Sequence, residues 1–430
     1  MTTTAPVATT ADDGTIQLRK VRQRSLKLPI SLGIVTILVA LLALPAGRQG
    51  TSVFRLADRT SSLALPDVPV PTWPTVLICT VILLVLTGYA TMRALAYRRV
   101  GLWVPIVFAL VAVFAFLTWS AADGLVPVTG LLFGAVSLSV PLVFGALGGV
   151  IGERAGVVNV AIEAQFLLAA FTSALVASMT QNYLLGLIAA MVGGALVAAV
   201  LALFAIRYIV DQVIVGVVLN VLITGLTSFL HGAIMKQNEA LFNSPPRFPR
   251  IPIPLLHEIP ILGPVIFNQT LIVYLMYVIV PVVAWALYRS KWGLRLRAVG
   301  EHPQAADTVG IRVNPTRFWN LLLAGAIAGI GGAYFTLGSV GAFDKEMTDG
   351  LGFIALAAVI FGGWDPVRAT LAALLFGFSM NLETLLSNLG SPIPGEFMKM
   401  LPYIVTVLAV VGFAGKVRAP AADGKPYIKG

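Results

Sequence analysis

The sequence predicts an all-α fold, a polytopic integral membrane bundle of about 10 to 12 transmembrane helices. Three observations predict it. Hydrophobic residues make up 58% of the 430 residues and charged residues only 11%, whereas soluble domains carry about 25% charged residues. Long apolar stretches follow one another along the chain, and basic residues concentrate in alternate connecting segments. A soluble globular protein is therefore excluded.

The apolar stretches have the composition of packed membrane helices, because most mix Gly, Ala, Ser and Thr with Leu and Val. One stretch, 351–363, would span only about 20 Å as a helix, against a hydrocarbon core of about 30 Å. It predicts a half-helix or a re-entrant segment. The twelve stretches are 28–45, 74–92, 101–119, 127–151, 157–179, 183–206, 212–235, 265–288, 318–337, 351–363, 369–385 and 399–415.

Basic residues set the predicted orientation. If the N-terminus is cytoplasmic and all twelve stretches cross, 21 of the 29 Lys and Arg residues lie in cytoplasmic segments, as the positive-inside rule requires. Both termini are then cytoplasmic, and the net charge of +10 needs no nucleic-acid partner. The single cysteine, Cys79, allows no disulfide framework.

The sequence contains no recognisable catalytic set. The three histidines, His231, His257 and His302, lie in or beside three different loops, and there is no H-E-x-x-H or C-x-x-C pattern, so we predict no metal site. The P-loop pattern G-x-x-x-x-G-K-[ST] is also missing. We therefore expect no cofactor and no ATPase site on this chain, and any ATP would be hydrolysed elsewhere.

A polar insertion at 152–164 separates two apolar stretches. Glu153 and Arg154 fit a tight cytoplasmic turn. Glu163 lies four residues after Asn159, on the same face of a predicted helix, and should contact protein or water rather than lipid. Two interpretations stay open: Glu163 pairs with Arg154 or another cation, or it lines a translocation route, as ionisable groups at membrane depth often do.

A second polar stripe follows one face of the seventh stretch, since Asn220, Thr224, Thr227 and His231 recur at helical spacing. A weaker stripe of Asn381, Thr384 and Asn388 lies in the eleventh stretch. Either stripe could make hydrogen bonds between helices or line a path for a neutral polar solute. The candidate path residues are Asn159, Glu163, Asn220, Thr224, Asn381 and Thr384.

The segment between the eighth and ninth stretches predicts a short helix of about seven residues, because Pro303 suits a first helical turn and Gly310 the residue after the last. Ala305, Ala306 and Val309 would share one side. Isolated helices this short are marginally stable, so we expect this helix to dock on its own bundle or on a partner.

Two groups of glycines, Gly325-x-x-x-Gly329 and Gly145 with Gly148 and Gly149, are typical of close helix packing.

Three segments carry a resemblance to a known family. GERAGVVNVAIEAQFLLAAF (152–171), LRLRAVGEHPQAADTVGIRV (294–313) and MTDGLGFIALAAVIFGGWDP (347–366) resemble permease subunits of bacterial ABC importers, in the superfamily of branched-chain amino acid and ribose permeases and most closely its nucleoside or simple-sugar branch. The matching order covers about residues 101–415. The chain departs from the branch at Glu163-Ala164, where relatives commonly have Glu-Gly.

The resemblance implies a type II importer fold with four regions: a basic cytoplasmic tail at 1–27, which we expect to be disordered, additional membrane helices at 28–100, the permease core at 101–415 and a cytoplasmic C-terminal tail at 416–430. It also implies that the 294–313 segment engages the ATPase subunit. The residues to which it assigns contact roles are Arg297, Gly300, Glu301, Ala305, Ala306, Asp307 and Gly310.

The resemblance further implies a multi-pass protein of the bacterial plasma membrane that moves a nucleoside or simple sugar. Its partners would be an ABC ATPase that holds ATP and Mg²⁺, a second, homologous permease, an extracytoplasmic solute-binding lipoprotein and membrane lipid. The main alternative is an ion-gradient-driven secondary transporter, for which Glu163 and Glu383 are the candidate embedded carboxylates. A membrane-embedded enzyme is a third alternative, weakened by the missing acid, base and metal groups.

Overall fold

A computed structural model describes residues 6–10, 16–20, 26–43, 48–57, 65–389, 396–397, 400, 403–404 and 418–429. Helix dominates these ranges, as the apolar stretches predict. The helices are α1 Lys27–Ala43, α2 Thr72–Leu95, α3 Trp103–Ser120, α4 Val128–Arg154, α5 Ile162–Thr180, α6 Tyr183–Ala202, α7 Gln212–Ala233, α8 Glu239–Phe242, α9 Leu271–Arg289, α10 Lys291–Glu301, α11 Pro303–Thr308, α12 Val313–Ala333, α13 Leu351–Gly362 and α14 Pro366–Asn388.

Short strands connect the helices. The strands are β1 Pro6–Thr10, β2 Ile16–Lys20, β3 Thr51–Arg55, β4 Val68–Pro71, β5 Leu125–Pro127, β6 Arg250–Pro252 and β7 Asn268–Thr270. β3 lies between β4, which is antiparallel to it, and β5, which is parallel. β6 and β7 pair antiparallel, as do β1 and β2. The expectation of a disordered N-terminal tail is wrong for β1 and β2, where Val, Ile and Thr favour extended backbone.

Within the described part of the chain, nine helices are long and apolar enough to cross a membrane. They are α2 to α7, α9, α12 and α14. A π-helical segment prolongs α6 to Arg207 and another prolongs α12 to Val340, and a 3₁₀ turn ends at Gln237 after α7. The stretch at 351–363 forms the 12-residue α13, about 18 Å long, so its predicted shortness is confirmed. The stretch at 399–415 lies almost wholly outside the described residues.

The chain divides into two compact units, residues 1–131 with 382–416, and residues 132–381 with 417–430. In the first unit, α1, α2 and α3 pack around a core of buried side chains that includes Leu83, Val104 and Phe108. Ser52 of β3 donates from its hydroxyl to the Thr118 carbonyl oxygen at 2.7 Å. The helices α1 to α3 therefore form one packed group. The region boundaries that we expect from the sequence stay predictions.

In the second unit, α5, α6 and α12 pack closely around a core that includes Phe144, Phe166 and Leu147. Glycines allow this approach. A Cβ atom on Gly194 of α6 would collide with the backbone of α12 at Gly325 and Gly329. A Cβ on Gly148 of α4 would lie 2.7 Å from the Ala324 carbonyl oxygen. The helices therefore meet main chain to main chain, as the small-residue spacing predicts.

Candidate functional site

Residues 155–161 form a non-helical break between α4 and α5. Gly156 has a φ of +88°, a left-handed conformation that glycine adopts without strain. Since α5 begins at Ile162, Asn159 precedes that helix. The prediction that Asn159 and Glu163 share a helical face is therefore wrong, because the backbone between them is not helical.

Side chains from α7 satisfy the backbone of this break. The Gln212 Oε1 atom accepts from the Val158 amide at 2.7 Å. The Asn220 Oδ1 atom accepts from the Ala164 amide at 3.0 Å, and its Nδ2 donates to the Val160 carbonyl oxygen at 3.0 Å. Buried N–H and C=O groups outside a helix need such partners, because an unpaired buried polar group is costly. Of the predicted stripe on α7, Asn220 makes the hydrogen bonds to a neighbouring segment.

The Asn159 side chain forms a closed amide pair with Gln165 of α5. Each side chain donates to the other, at 3.2 Å from Asn159 Nδ2 to Gln165 Oε1 and at 3.1 Å in the opposite direction. Both residues are fully buried. The pair joins the break to the first turns of α5.

Glu163 binds the N-terminus of α13. Its Oε1 atom accepts from the Thr348 hydroxyl at 2.5 Å and from the Gly350 amide at 2.9 Å, and its Oε2 atom accepts from the Gly352 amide at 2.6 Å. A carboxylate at a helix N-terminus is favourable, because the first amides lack partners within the helix and carry partial positive charge.

Among the described residues, no Lys or Arg side chain forms a salt bridge with Glu163, so the interpretation as a cation pair is wrong. The partners are the open N–H groups of a half-helix instead. We name Asn159, Glu163, Gln165, Gln212 and Asn220 the break cluster.

The remaining candidate path residues lie apart from these hydrogen bonds. Thr224 is half-buried one turn after Asn220, and the Thr227 hydroxyl donates to the Ile223 carbonyl oxygen of its own helix at 2.7 Å. Asn381 of α14 lies against Gly134 of α4, where an added Cβ would come within 2.6 Å of the Asn381 side chain. Thr384 is exposed on α14. A role for any of these residues in a solute path stays a prediction.

The predicted short helix exists. α11 spans Pro303–Thr308 and is followed by Gly310 with a φ of +84°. A preceding helix, α10, was missed. The signal for it was present, since its buried residues Gly293, Leu296, Val299 and Gly300 recur at helical spacing.

The two helices α10 and α11 pack on their own bundle. Ala306 is buried with Val299 and Val313, whereas Ala305 is exposed and Val309 is 75% exposed. The predicted apolar side is therefore divided between the bundle and solvent. The exposed half is available to a partner.

α10 contacts the end of α4. A Cβ on Gly300 would collide with the Arg154 carbonyl, so only glycine fits there. The Glu301 carboxylate lies 3.7 Å from the Arg154 guanidinium, and the Arg297 guanidinium lies 5.5 Å from the ring centre of Tyr288.

The same end of α4 contacts the C-terminal end of α13. The Trp364 indole nitrogen donates to Glu153 Oε2 at 2.5 Å, and the Arg154 Nε atom donates to the Trp364 carbonyl oxygen at 3.0 Å. Glu153 is 2% exposed, so the polar pair at 153–154 does more than cap a turn. The two ends of α13 are thus bound from the two sides of one break, by Glu153 and Arg154 before it and by Glu163 after it.

Residues 418–429 dock on this region. Arg317 of α12, 2% exposed, donates to the Lys425 carbonyl oxygen at 2.8 Å. Asp423 interacts electrostatically with Arg317 and with Glu153. Burial raises the pKa of the Asp423 carboxyl to about 7, although the Gly424 amide and Arg317 act in the opposite direction. Sequence reasoning missed Arg317, Trp364 and Asp423. A buried arginine near the start of α12 was the available signal, because such a charge requires a partner.

Comparison with known proteins agrees with this architecture. A family model described as "Branched-chain amino acid transport system / permease component" matches residues 131–410. The guanosine ABC transporter permease protein NupQ of Bacillus subtilis (strain 168) is 40% identical over 299 residues, which cover 67% of this chain and 93% of NupQ.

Two further relatives match a similar share of the chain. The nucleoside ABC transporter permease protein NupC of Lactococcus lactis subsp. cremoris (strain MG1363) is 39% identical over 306 residues, 68% of this chain and 94% of NupC. The putative glucose ABC transporter permease protein TsgC13 of Haloferax volcanii is 34% identical over 307 residues, 66% of this chain and 91% of TsgC13. No solved structure matches. Because the family model covers more than half of this sequence and NupQ and NupC match two thirds of it, the chain belongs to the family of ABC transporter permease components.

Proposed function

We propose that this permease subunit carries a nucleoside or a related simple-sugar compound across the bacterial plasma membrane, powered by ATP that a partner subunit hydrolyses. The names of the relatives support the solute class, since two of them carry the words guanosine and nucleoside and a third carries glucose. A neutral polar solute is also consistent with the amide-rich and hydroxyl-rich helix faces. This chain contributes the path, and the ATPase subunit contributes ATP, Mg²⁺ and the chemical step.

The observation that carries the proposal is the way α10 and α11 connect to the membrane interior. The exposed side of α11 at Ala305 and Val309 would receive the ATPase. Motion of α10 would reach α4 through Glu301 and Arg154, and then α13 through Trp364. At the other end of α13, the hydrogen bond from the Gly352 amide to Glu163 connects α13 to α5. These contacts form one continuous series from the cytoplasmic surface to the break.

In this mechanism the break and the half-helix α13 are the parts that rearrange. Discontinuous helices are where transporters place their binding sites and their hinges. Closure of the ATPases would shift α10 and α11, and the bundle would switch between outward and inward access. No covalent bond in this chain changes.

The remaining partners follow from the same proposal. A second permease and an extracytoplasmic solute-binding lipoprotein would complete the importer, with lipid around the apolar helix surfaces. Both termini would be cytoplasmic. The docking of residues 418–429 on α10 supports this orientation for the C-terminus, because α10 lies in the most basic connecting segment, 289–317.

An ion-driven secondary transporter is not favoured. Such a protein would use Glu163 as an ion site, yet both Glu163 oxygens accept hydrogen bonds from α13 and the segment before it. In addition, α10 and α11 would present their exposed side to no partner. The candidate path residues Asn159, Glu163, Asn220, Thr224, Asn381 and Thr384 remain part of the proposal.

Uptake assays test the function. The chain is co-purified with its partner permease and ATPase, reconstituted in liposomes with the binding protein, and supplied with radiolabelled guanosine or uridine. We expect uptake that requires ATP, persists when a proton ionophore is added, and is competed by unlabelled nucleosides more strongly than by leucine. Uptake that does not require ATP and that stops when the proton ionophore is added would overturn the assignment.

The contact surface has its own test. Reversing two carboxylates, Glu301→Lys with Asp307→Lys, should abolish ATP-driven uptake while the protein remains folded in the membrane. A matched control reverses Glu239 and Glu258, two exposed carboxylates of the 236–264 segment, and should retain uptake. Full uptake and normal ATPase association in the first double variant would remove α10 and α11 from the coupling role.

A further inference from the structure

The C-terminal segment Arg418–Lys429, named here the strap, contacts α10 and α11, the two helices with which the proposed coupling route begins. The Ala422 amide donates to the Gly300 carbonyl oxygen at 2.9 Å, which joins the strap to α10. The Ala421 amide donates to the Glu301 carboxylate at 3.2 Å. Tyr427 packs against the apolar cluster around Ala306, and its hydroxyl lies close enough to the Asp307 carboxylate of α11 to interact with it electrostatically. The sequence predicts only a C-terminal tail here.

The strap also binds the helix and the turn behind α10. Arg317 of α12 donates to the Lys425 carbonyl oxygen at 2.8 Å and to the Ala422 carbonyl oxygen at 3.5 Å. A Cβ on Gly156, in the break, would lie 2.7 Å from the Arg317 guanidinium and 3.2 Å from the Ala422 carbonyl oxygen. The strap, Arg317 and the break therefore meet at one point.

Three buried polar atoms at this point have no hydrogen-bond partner among the described residues. They are Glu153 Oε1, Arg317 Nε and Asp423 Oδ1. Two carboxylates and one guanidinium share the cluster: Arg317 and Asp423 carry opposite charges and attract each other, whereas Glu153 and Asp423 are like groups whose charges repel. A buried charge whose partner is removed is strongly disfavoured. Arg317 therefore depends on the strap, and the strap depends on Arg317.

We infer that the strap is a coupling brace: it fixes α10 and α11 to the break between α4 and α5, so that a displacement of the two helices moves the break and is not lost as local slippage. Asp423 and Arg317 are positioning residues in this device, since neither belongs to the exposed side of α11 that would receive the ATPase. The inference rests on the proposed function, because it needs an ATPase that acts on α11.

An alternative role for the strap is autoinhibition, in which it would cover the ATPase surface and leave when the ATPase binds. The contacts argue against this. The strap contacts Ala306 and Gly300, which are buried, whereas the outward-facing Ala305 and Val309 stay exposed beside it. The strap supports the back of the surface and leaves its front open.

The test measures coupling in the reconstituted importer as the number of ATP molecules hydrolysed per solute imported. Three variants weaken the brace: a chain that stops before Arg418, Arg317→Met, which removes the hydrogen bonds to the Lys425 and Ala422 carbonyl oxygens, and Tyr427→Phe, which removes the hydroxyl beside Asp307. Lys429→Ala, an exposed change at the end of the same strap, is the matched control.

We expect the truncated chain to co-purify with the ATPase in normal amount and to hydrolyse ATP, but to consume about fivefold more ATP per solute, which corresponds to a loss of about 1 kcal/mol of coupling free energy. The maximal uptake rate should fall while the solute concentration for half-maximal uptake stays unchanged. Arg317→Met and Tyr427→Phe should raise the ratio by smaller amounts, and Lys429→Ala should leave it at the wild-type value.

Each outcome separates the two claims. If the wild-type importer shows no ATP-dependent uptake, the proposed function fails and the brace with it. If the wild type works and all three brace variants keep the wild-type ratio, the brace alone is overturned. Truncation that speeds uptake would indicate autoinhibition and also overturn it. If the truncated chain does not accumulate in membranes, the two point variants decide the question.

Discussion

The break cluster and the cluster of Glu153, Arg317 and Asp423 satisfy their polar groups differently. In the break cluster each amide or carboxylate that was expected to line a path has protein partners at 2.5 to 3.2 Å. In the second cluster three buried polar atoms have none among the described residues. The comparison teaches that the polar groups of the break cluster are committed to protein partners, whereas the cluster beside the strap keeps buried charged groups whose hydrogen bonding is incomplete.

The largest expected effect is on the Glu163 cap of α13. Glu163→Ala leaves the Gly350 and Gly352 amides and the Thr348 hydroxyl without their acceptor, which should lower the free energy of unfolding by about 3 kcal/mol or more. Thermal unfolding in detergent, followed by tryptophan fluorescence, measures this. Thr348→Val, which removes one of the three donors, should cost about 1 kcal/mol.

A different pattern would change the role of Glu163. If Glu163→Ala unfolds at the wild-type temperature but abolishes uptake, the carboxylate acts on the solute and the cap contributes little. That result would support the translocation interpretation of this residue and would end the contrast between the two clusters.

The next effect concerns Asn220, which bonds both Ala164 and Val160. Asn220→Ala should cost about 2 kcal/mol in unfolding free energy, because a buried donor and a buried acceptor lose their partners. Thr224→Val, one turn later on the same helix, is the control and should change stability by about 0.5 kcal/mol or less. If Thr224→Val reduces uptake more than Asn220→Ala does, the α7 stripe serves the solute path after all.

A third effect is the pH dependence of strap docking. Asp423 has a pKa of about 7 in the docked strap, against 3.8 ordinarily, so the docked state binds the proton more tightly. Docking is therefore strongest below pH 4 and weakens as pH rises towards 7, by at most about tenfold per pH unit. The groups that face Asp423 are Glu153 of α4 and Arg317 of α12.

Hydrogen exchange of the Ala422 amide in the intact protein measures this dependence, after correction for the intrinsic pH dependence of exchange. Asp423→Asn should flatten the profile and keep the amide protected. A wild-type profile already flat between pH 5 and 7 would show that Asp423 stays ionised in the docked strap.

The smallest effect is expected for Glu301 and Arg154. Their charged groups lie 3.7 Å apart and the Glu301 side chain is 46% exposed, so solvent screens the interaction. Glu301→Gln should change unfolding free energy by about 0.5 kcal/mol or less. A loss above about 2 kcal/mol would show that this pair, and not the strap, holds α10 on α4.

Much of the fold could be predicted from the sequence because membrane helices are recognisable from the length and composition of their apolar stretches. The short stretch at 351–363 and the short helix framed by Pro303 and Gly310 were also foreseen, since their signals are local. The break at 155–161 was not, because its hydrogen bonds come from Gln212 and Asn220, more than 50 residues away. For the same reason the partners of Glu163 could not be foreseen: they are the amides of Gly350 and Gly352.

The docking of the C-terminal strap could not be predicted either, because it also depends on contacts between residues far apart in the sequence. The composition of this segment, with small residues between Arg418, Lys425 and Lys429, predicts a solvent-exposed tail. It contains no helical pattern. Its docking depends on the buried Arg317, whose need for a partner is visible only once α12 is known to be packed on that side.

The contact between α6 and α12 limits which parts of the importer move relative to one another. With Gly194 seated on Gly325 and Gly329, the two backbones touch with no side chains between them that could change rotamer. Sliding one helix past the other would force a neighbouring Cβ into a carbonyl group. α6 and α12 should therefore travel as a single rigid body through the transport cycle, and the hinge has to be sought in the non-helical residues on either side of it.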